Sequence, residues 1–160
     1  MTLRTIAIVV AWATVVGGLT LAVVWAAAGG LRAHDPNDEL MRQSGVEAGA
    51  KNRRVTSLSP IQVGAHGFLG VATATLITYG ALLDEGRTGG YLAVFVVALL
   101  AVGTGLLMYR KWTRGSRPPR PDAGYHRRRP EDRLPRPVVY AHGTAAAVTA
   151  GLALLLFLVD

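Results

Sequence analysis

The sequence predicts an all-α membrane protein, a bundle of four transmembrane helices that reads as two duplicated helix hairpins. Three observations carry this. Of the 160 residues 51% are hydrophobic and only 17% charged, too apolar and too unevenly charged for an ordinary soluble domain. Four stretches, at about 5–31, 60–83, 91–109 and 137–159, hold no Asp, Glu, Lys or Arg. Each reaches the roughly 20 residues that a helix needs to cross a hydrocarbon core of about 30 Å. The whole of 1–160 is therefore expected to form one integral membrane domain, with helices satisfying their own backbone groups inside the lipid.

The first stretch follows Arg4 and ends near Ala26, Ala27 and Ala28. Its apolar run exceeds the 7–15 or so residues of a signal-peptide core, so it is expected to be a helix of the mature protein. Between it and the second helix, Asn37–Arg42 has the cap and first-turn acids of a short surface helix. The second helix opens legibly. Ser59, Pro60 and Gln62 supply a serine cap, a proline at the first helical position and a glutamine three residues after the cap. The run from Asp84 to Gly90 is a short glycine-containing turn, which makes the second and third helices antiparallel neighbours. The segment 110–136 is rich in arginine and holds Pro118, Pro119, Pro121, Pro130 and Pro135; it is expected to be extended, mobile and solvated. Pro137 opens the fourth helix.

Charge sets the expected orientation. Of the 17 Lys and Arg residues, Arg32, Arg42, Lys51, Arg53 and Arg54 lie between the first two helices and ten lie between the last two, leaving only Arg4 and Arg87 for the other side. The excess of cations in segments 32–59 and 110–136 places both in the cytoplasm and both termini outside, in what would be the inner membrane of a bacterial cell. The net charge of +7 is thus a topology signal with scope for anionic lipid headgroups, and nucleic acid is not expected as a partner. Cysteine is absent, which removes disulfides, thiolate metal sites and covalently attached haem.

The chemistry-bearing residues are His66 and His142. Each sits in an Ala-His-Gly tripeptide, Ala65–Gly67 and Ala141–Gly143, near the start of its helix. A polar ring inside hydrocarbon is costly enough to mark a site, and the partner expected for each is the other. Counting from each histidine, threonine recurs seven residues on (Thr73, Thr149) and alanine eight (Ala74, Ala150). The threonines share a face with the histidines and are expected as supporting contacts. Haem b needs two axial ligands on opposite sides of a flat macrocycle, and matched positions on two facing helices supply them. Gly67, Gly70, Ala145 and Ala146 leave room beside the rings, and the helix N-terminal ends favour neutral imidazole and receive propionates, with Arg53, Arg54 or Arg136. Tyr140, two residues before His142, is placed to hydrogen-bond a propionate or a quinone, or to anchor at the interface with Tyr109 and Trp112. Met108 is the one further soft ligand near enough for a copper site, and reads more simply as packing. His34 and His126 read as solvated loop residues, and the glycines Gly17, Gly18, Gly103 and Gly105 as points of close helix approach.

On the four-helix plan and the two Ala-His-Gly tripeptides, the chain resembles the four-helix membrane b-type cytochromes of the cytochrome b561 type and the haem-carrying membrane-anchor subunits of respiratory dehydrogenases. The resemblance implies one bis-histidine haem b near the cytoplasmic face, with His66 and His142 as metal ligands, electron transport, quinone as a second cofactor, and other membrane or respiratory subunits as partners. With one histidine pair, it implies at most one haem. Two further classes stay open: a cofactor-free accessory subunit whose histidines hold helices together, and a small metal or proton transporter component, for which assembly into a homo-oligomer would be needed. No nucleophile with its base, phosphate-binding loop or carboxylate pair occurs, so turnover by this chain alone is not expected. The orientation has its own test: a cysteine placed at Ser116 should resist an impermeant thiol reagent added from outside and react after the membrane is opened.

Overall fold

The computed structural model describes residues 2–31, 56–82, 88–115 and 130–159. It contains four long helices, α1 (Leu3–Ala27), α2 (Pro60–Leu82), α3 (Thr88–Gly115) and α4 (Arg136–Val159), with a 3₁₀ turn at Pro130–Arg133 before α4. Each is long and apolar enough to cross a membrane, and the chain is an integral membrane four-helix bundle. The expected surface helix at Asn37–Arg42, the turn at Asp84–Arg87, and His34, His126, Arg53 and Arg54 lie outside the described residues.

Helix ends follow local chemistry and correct the expected bounds. α1 starts early because Thr2 caps it: its Oγ1 accepts from Thr5 N at 3.3 Å. It ends at Ala27, short of Leu31. Gly29 takes φ 96°, a conformation that glycine reaches without penalty. Gly29 N then donates to Ala26 O at 2.9 Å and Gly30 N to Trp25 O at 3.0 Å, which closes the helix and satisfies carbonyls left over at its end. Gly30 has no room for a side chain, because a Cβ there would overlap the Trp25 indole.

At the start of α2 the reciprocal cap is formed as its sequence implies, Gln62 N donating to Ser59 Oγ at 3.1 Å and Ser59 N to Gln62 Oε1 at 3.5 Å. α3 runs well past Tyr109, carrying Arg110, Lys111 and Arg114 on its last turns, where cations complement the helix dipole. The segment 110–136 is accordingly not an extended solvated linker throughout. It begins as helix, and Pro130 and Glu131 of its 3₁₀ turn are buried.

The helices form a closed ring, with α1 and α3 each packed against both α2 and α4. The core is divided into levels. At the end holding the chain termini, Ala7, Ala11, Ala74, Ile77, Tyr91, Val94, Ala153 and Leu156 make one buried cluster. Because lipid is as apolar as a core, such contacts are held by close fit rather than by water exclusion, and alanine lets the backbones approach. At the other end Trp25, Leu58, Trp112, Pro130 and Glu131 are buried. Glu131 Oε1 accepts from the Thr56 hydroxyl, from Ser57 N at 2.8 Å and from Leu58 N at 3.0 Å. Trp112 Nε1 donates to Glu131 O at 3.2 Å and Trp25 Nε1 to Thr56 Oγ1 at 3.4 Å. These donors offset the burial of Oε1, while Oε2 is buried with no hydrogen-bond partner among the described residues.

The two hairpins repeat each other in their buried positions. Ala7, Ala11 and Trp25 of α1 match Val94, Ala98 and Trp112 of α3, each pair 87 residues apart; Thr73, Ala74 and Ile77 of α2 match Thr149, Ala150 and Ala153 of α4, each pair 76 residues apart. The sequence showed two of these six correspondences. Ala11→Leu and Ala98→Leu should therefore destabilise alike, by about 1–3 kcal/mol of overpacking, read as equal falls in the unfolding midpoint of the detergent-solubilised protein.

Candidate functional site

His66 and His142 each lie six residues beyond the first residue of their helices. They meet across the diagonal of the bundle, with ring centroids 5.9 Å apart and ring planes at 88°. Both are half-buried.

Each ring is held by the neighbouring helix of the opposite hairpin. His142 Nδ1 lies 3.0 Å from Thr14 O of α1, and His66 Nδ1 lies 3.1 Å from Ala101 O of α3. A carbonyl can only accept, so both Nδ1 atoms carry the proton and both Nε2 atoms are left with a lone pair. Thr104 Oγ1 is a second neighbour of His66 Nδ1 at 3.2 Å. Its own proton goes to the carbonyls of Leu100 and Ala101 at 3.0 and 2.9 Å, so toward the imidazole it acts as an acceptor.

Glycine makes these bonds reachable. In a helix the carbonyl of residue i points toward residue i+4, whose side chain ordinarily crowds the approach. Residue i+4 is Gly18 for Thr14 and Gly105 for Ala101. A Cβ on Gly18 would stand 2.8 Å from His142 Cε1, and one on Gly105 would stand 3.0 Å from His66 Cε1. Thr14 and Gly18 are again 87 residues before Ala101 and Gly105, so the two sockets are equivalent. The sequence marked Gly18 and Gly105 as points of close approach without assigning their occupants. Gly17 is near His142 Nδ1, whereas Gly103, Gly67 and Gly70 face open space.

At the level of the histidines every described residue keeps some exposure. From Trp12 to Val24, Ser59 to Ala72, Leu99 to Lys111 and Arg136 to Val148, no residue is buried. Above this level lie the buried Thr73 and Thr149, and below it Trp25 and Trp112. The threonines do not touch the imidazoles. Thr73 Oγ1 donates to Leu69 O at 2.8 Å and Thr149 Oγ1 to Ala145 O at 2.9 Å; Thr149 Oγ1 also lies 3.2 Å from Thr14 Oγ1. The link from Thr149 to His142 thus runs through Thr14, and Thr73 has no counterpart to it. Tyr140 is also apart from the pair. It is exposed, and its ring packs with Tyr109 and Trp112 at centroid distances of 6.4 and 6.2 Å.

Among the described residues no three His, Cys, Asp or Glu side chains gather to hold a metal ion. Two imidazoles can therefore bind a metal strongly only if it brings its remaining ligands with it. The centroid spacing is near that which such a group sets when both ring nitrogens point at it. Two metal–nitrogen bonds of about 2.0–2.1 Å, with roughly 1.1 Å from each nitrogen to its ring centre, put centroids about 6.3 Å apart. The chain matches no protein-family model, no curated protein and no solved structure.

Gly18→Ala and Gly105→Ala should each displace one ring and remove its carbonyl bond, at a cost of about 1–3 kcal/mol. The corresponding Nδ1–H signal should disappear from the nitrogen spectrum of the histidine-labelled protein, while Gly103→Ala leaves both signals in place.

Proposed function

We propose that the protein is a membrane electron carrier binding one haem b, with His66 and His142 as its two axial ligands near the cytoplasmic face. The observation that carries this is the pair of facing imidazoles, each with its proton committed to a main-chain carbonyl, at a level of the bundle where no residue is buried. Metal-ligating histidine characteristically gives its other ring proton to a carbonyl or carboxylate, which fixes the ring and raises its basicity.

The bound group would supply a one-electron iron couple, held low-spin by two nitrogen ligands. The chain's own residues do the rest. Thr14 and Ala101 hold the ring tautomer through their carbonyls, and Gly18 and Gly105 admit the rings. The Trp25 and Trp112 indoles close one side against water, and the Thr73 and Thr149 level closes the other. The N-terminal ends of α2 and α4, where the helix dipoles are positive, suit the propionates. A single centre cannot carry an electron across the whole membrane, so this reading includes a partner: quinone, or another subunit of a respiratory complex. On this reading the histidine-bearing end faces the cytoplasm and the termini lie outside, in the inner membrane of a bacterial cell, as the excess of cations in segments 32–59 and 110–136 favours.

Protein purified from membranes should show a reduced-minus-oxidised difference spectrum with Soret and α bands. His66→Ala and His142→Ala should each abolish it, and Thr73→Ala should leave it present. Folded, colourless protein, or a full spectrum in both histidine variants, would overturn the haem reading and leave a cofactor-free subunit.

A further inference from the structure

The internal repeat provides a control for what the fold itself requires. At the histidine-bearing end, the α1/α2 and α3/α4 corners are built alike, each around a buried tryptophan. Around Trp112 the outward surface carries Tyr109, Arg110, Arg114, Arg133, Arg136 and Tyr140, all exposed. Their counterparts around Trp25, at the same offsets of 87 and 76, are Ala22, Val23, Ala27, Ser57, Pro60 and Gly64. At these equivalent positions the described part of the α1/α2 corner packs around its tryptophan with neither a charge nor a phenol.

The α3/α4 corner carries an excess of cations, Arg110, Arg114, Arg133 and Arg136 against the exposed Asp132 and the buried Glu131. Among the described residues none of the four guanidinium groups pairs with a carboxylate, and Glu131, the buried acid beside them, spends Oε1 on Thr56, Ser57 and Leu58. Tyr109 and Tyr140 stack near each other, 6.4 Å between centroids, with hydroxyls that bond to no described residue. Directly adjoining Tyr109, Leu106 and Leu107 are exposed at the depth of acyl chains. Cations and phenols at headgroup height above bare apolar surface complement a molecule that is anionic at one end and hydrocarbon at the other. An acidic soluble protein would use the first part and leave the second uncovered.

We infer that the α3/α4 corner is a binding site for an anionic phospholipid, its phosphate met by Arg110, Arg114, Arg133 and Arg136 and the two tyrosine hydroxyls, its chains lying along Leu106 and Leu107. This stands independently of any haem. The site is selective for headgroup charge. Each arginine near an anionic headgroup strengthens attachment about fivefold, and salt weakens it.

The test uses the full chain in nanodiscs of phosphatidylcholine containing a minor share of phosphatidylglycerol. After release, native mass spectrometry should find phosphatidylglycerol retained in large excess over its share, and the protein with all four arginines changed to glutamine should retain it at its share. Location is read from tryptophan fluorescence. With Trp12→Phe and Trp25→Phe, the remaining Trp112 should be quenched more by brominated phosphatidylglycerol than by the same share of brominated phosphatidylcholine. Retention at the bulk share by the unaltered chain, retention unchanged in the glutamine variant, or equal quenching at Trp112 would each overturn the site. The first result would leave the arginines to an acidic protein partner.

Discussion

The bond from each imidazole Nδ1 to a main-chain carbonyl across a helix interface is the contact on which the rest of the histidine level depends. Inside a bilayer a ring nitrogen without a partner costs several kcal/mol or so, and this bundle offers few side-chain acceptors near the rings. The backbone supplies the acceptor instead. A helical carbonyl already bonds within its own helix but keeps a second lone pair, and it becomes reachable only where the residue one turn on lacks a side chain. Gly18 and Gly105 meet that need, and the tautomer and the ring orientation follow from it.

This dependence explains why the bundle is packed in tiers. Alanines and a few large side chains fill the end near the chain termini, and tryptophans with a buried carboxylate lock the other. Between them the helices carry glycine, alanine and threonine, which make close contact along the interfaces and none of which is buried at the level of the histidines. A bundle stabilised by two firm ends tolerates a loose middle, because the helices themselves need no core to satisfy their backbone. That tolerance is what allows a site to be placed there without costing the fold.

Much of this was legible in the chain. Four uncharged runs gave the helices, Ser59, Pro60 and Gln62 gave a true start, and the Ala-His-Gly pair gave the rings their common level. The boundaries missed had local causes. Gly29 stops α1 before the apolar run ends, and Arg110, Lys111 and Arg114 continue α3 after its own run ends, since hydropathy reports lipid and not hydrogen bonding. The carbonyls of Thr14 and Ala101 were invisible because a backbone acceptor leaves no mark on residue type; only the glycines four positions on could have pointed to them. Glu131 read as one acid among the prolines and arginines of a linker, and nothing local distinguishes a carboxylate that will be buried by a loop more than 70 residues away. Thr73 and Thr149 were placed on the correct face but credited with a contact that seven residues, about 10 Å of rise, puts out of reach.

The sockets are exchanged between halves: the ring carried by the first hairpin seats in the second, and the ring of the second seats in the first. Neither half can satisfy its own imidazole. The molecule is thus built as a handshake, in which a hairpin on its own has an open hand and an empty palm. A chain of half this length could complete the same arrangement only by clasping a copy of itself, and the connection between the halves serves to keep those two hands permanently within reach.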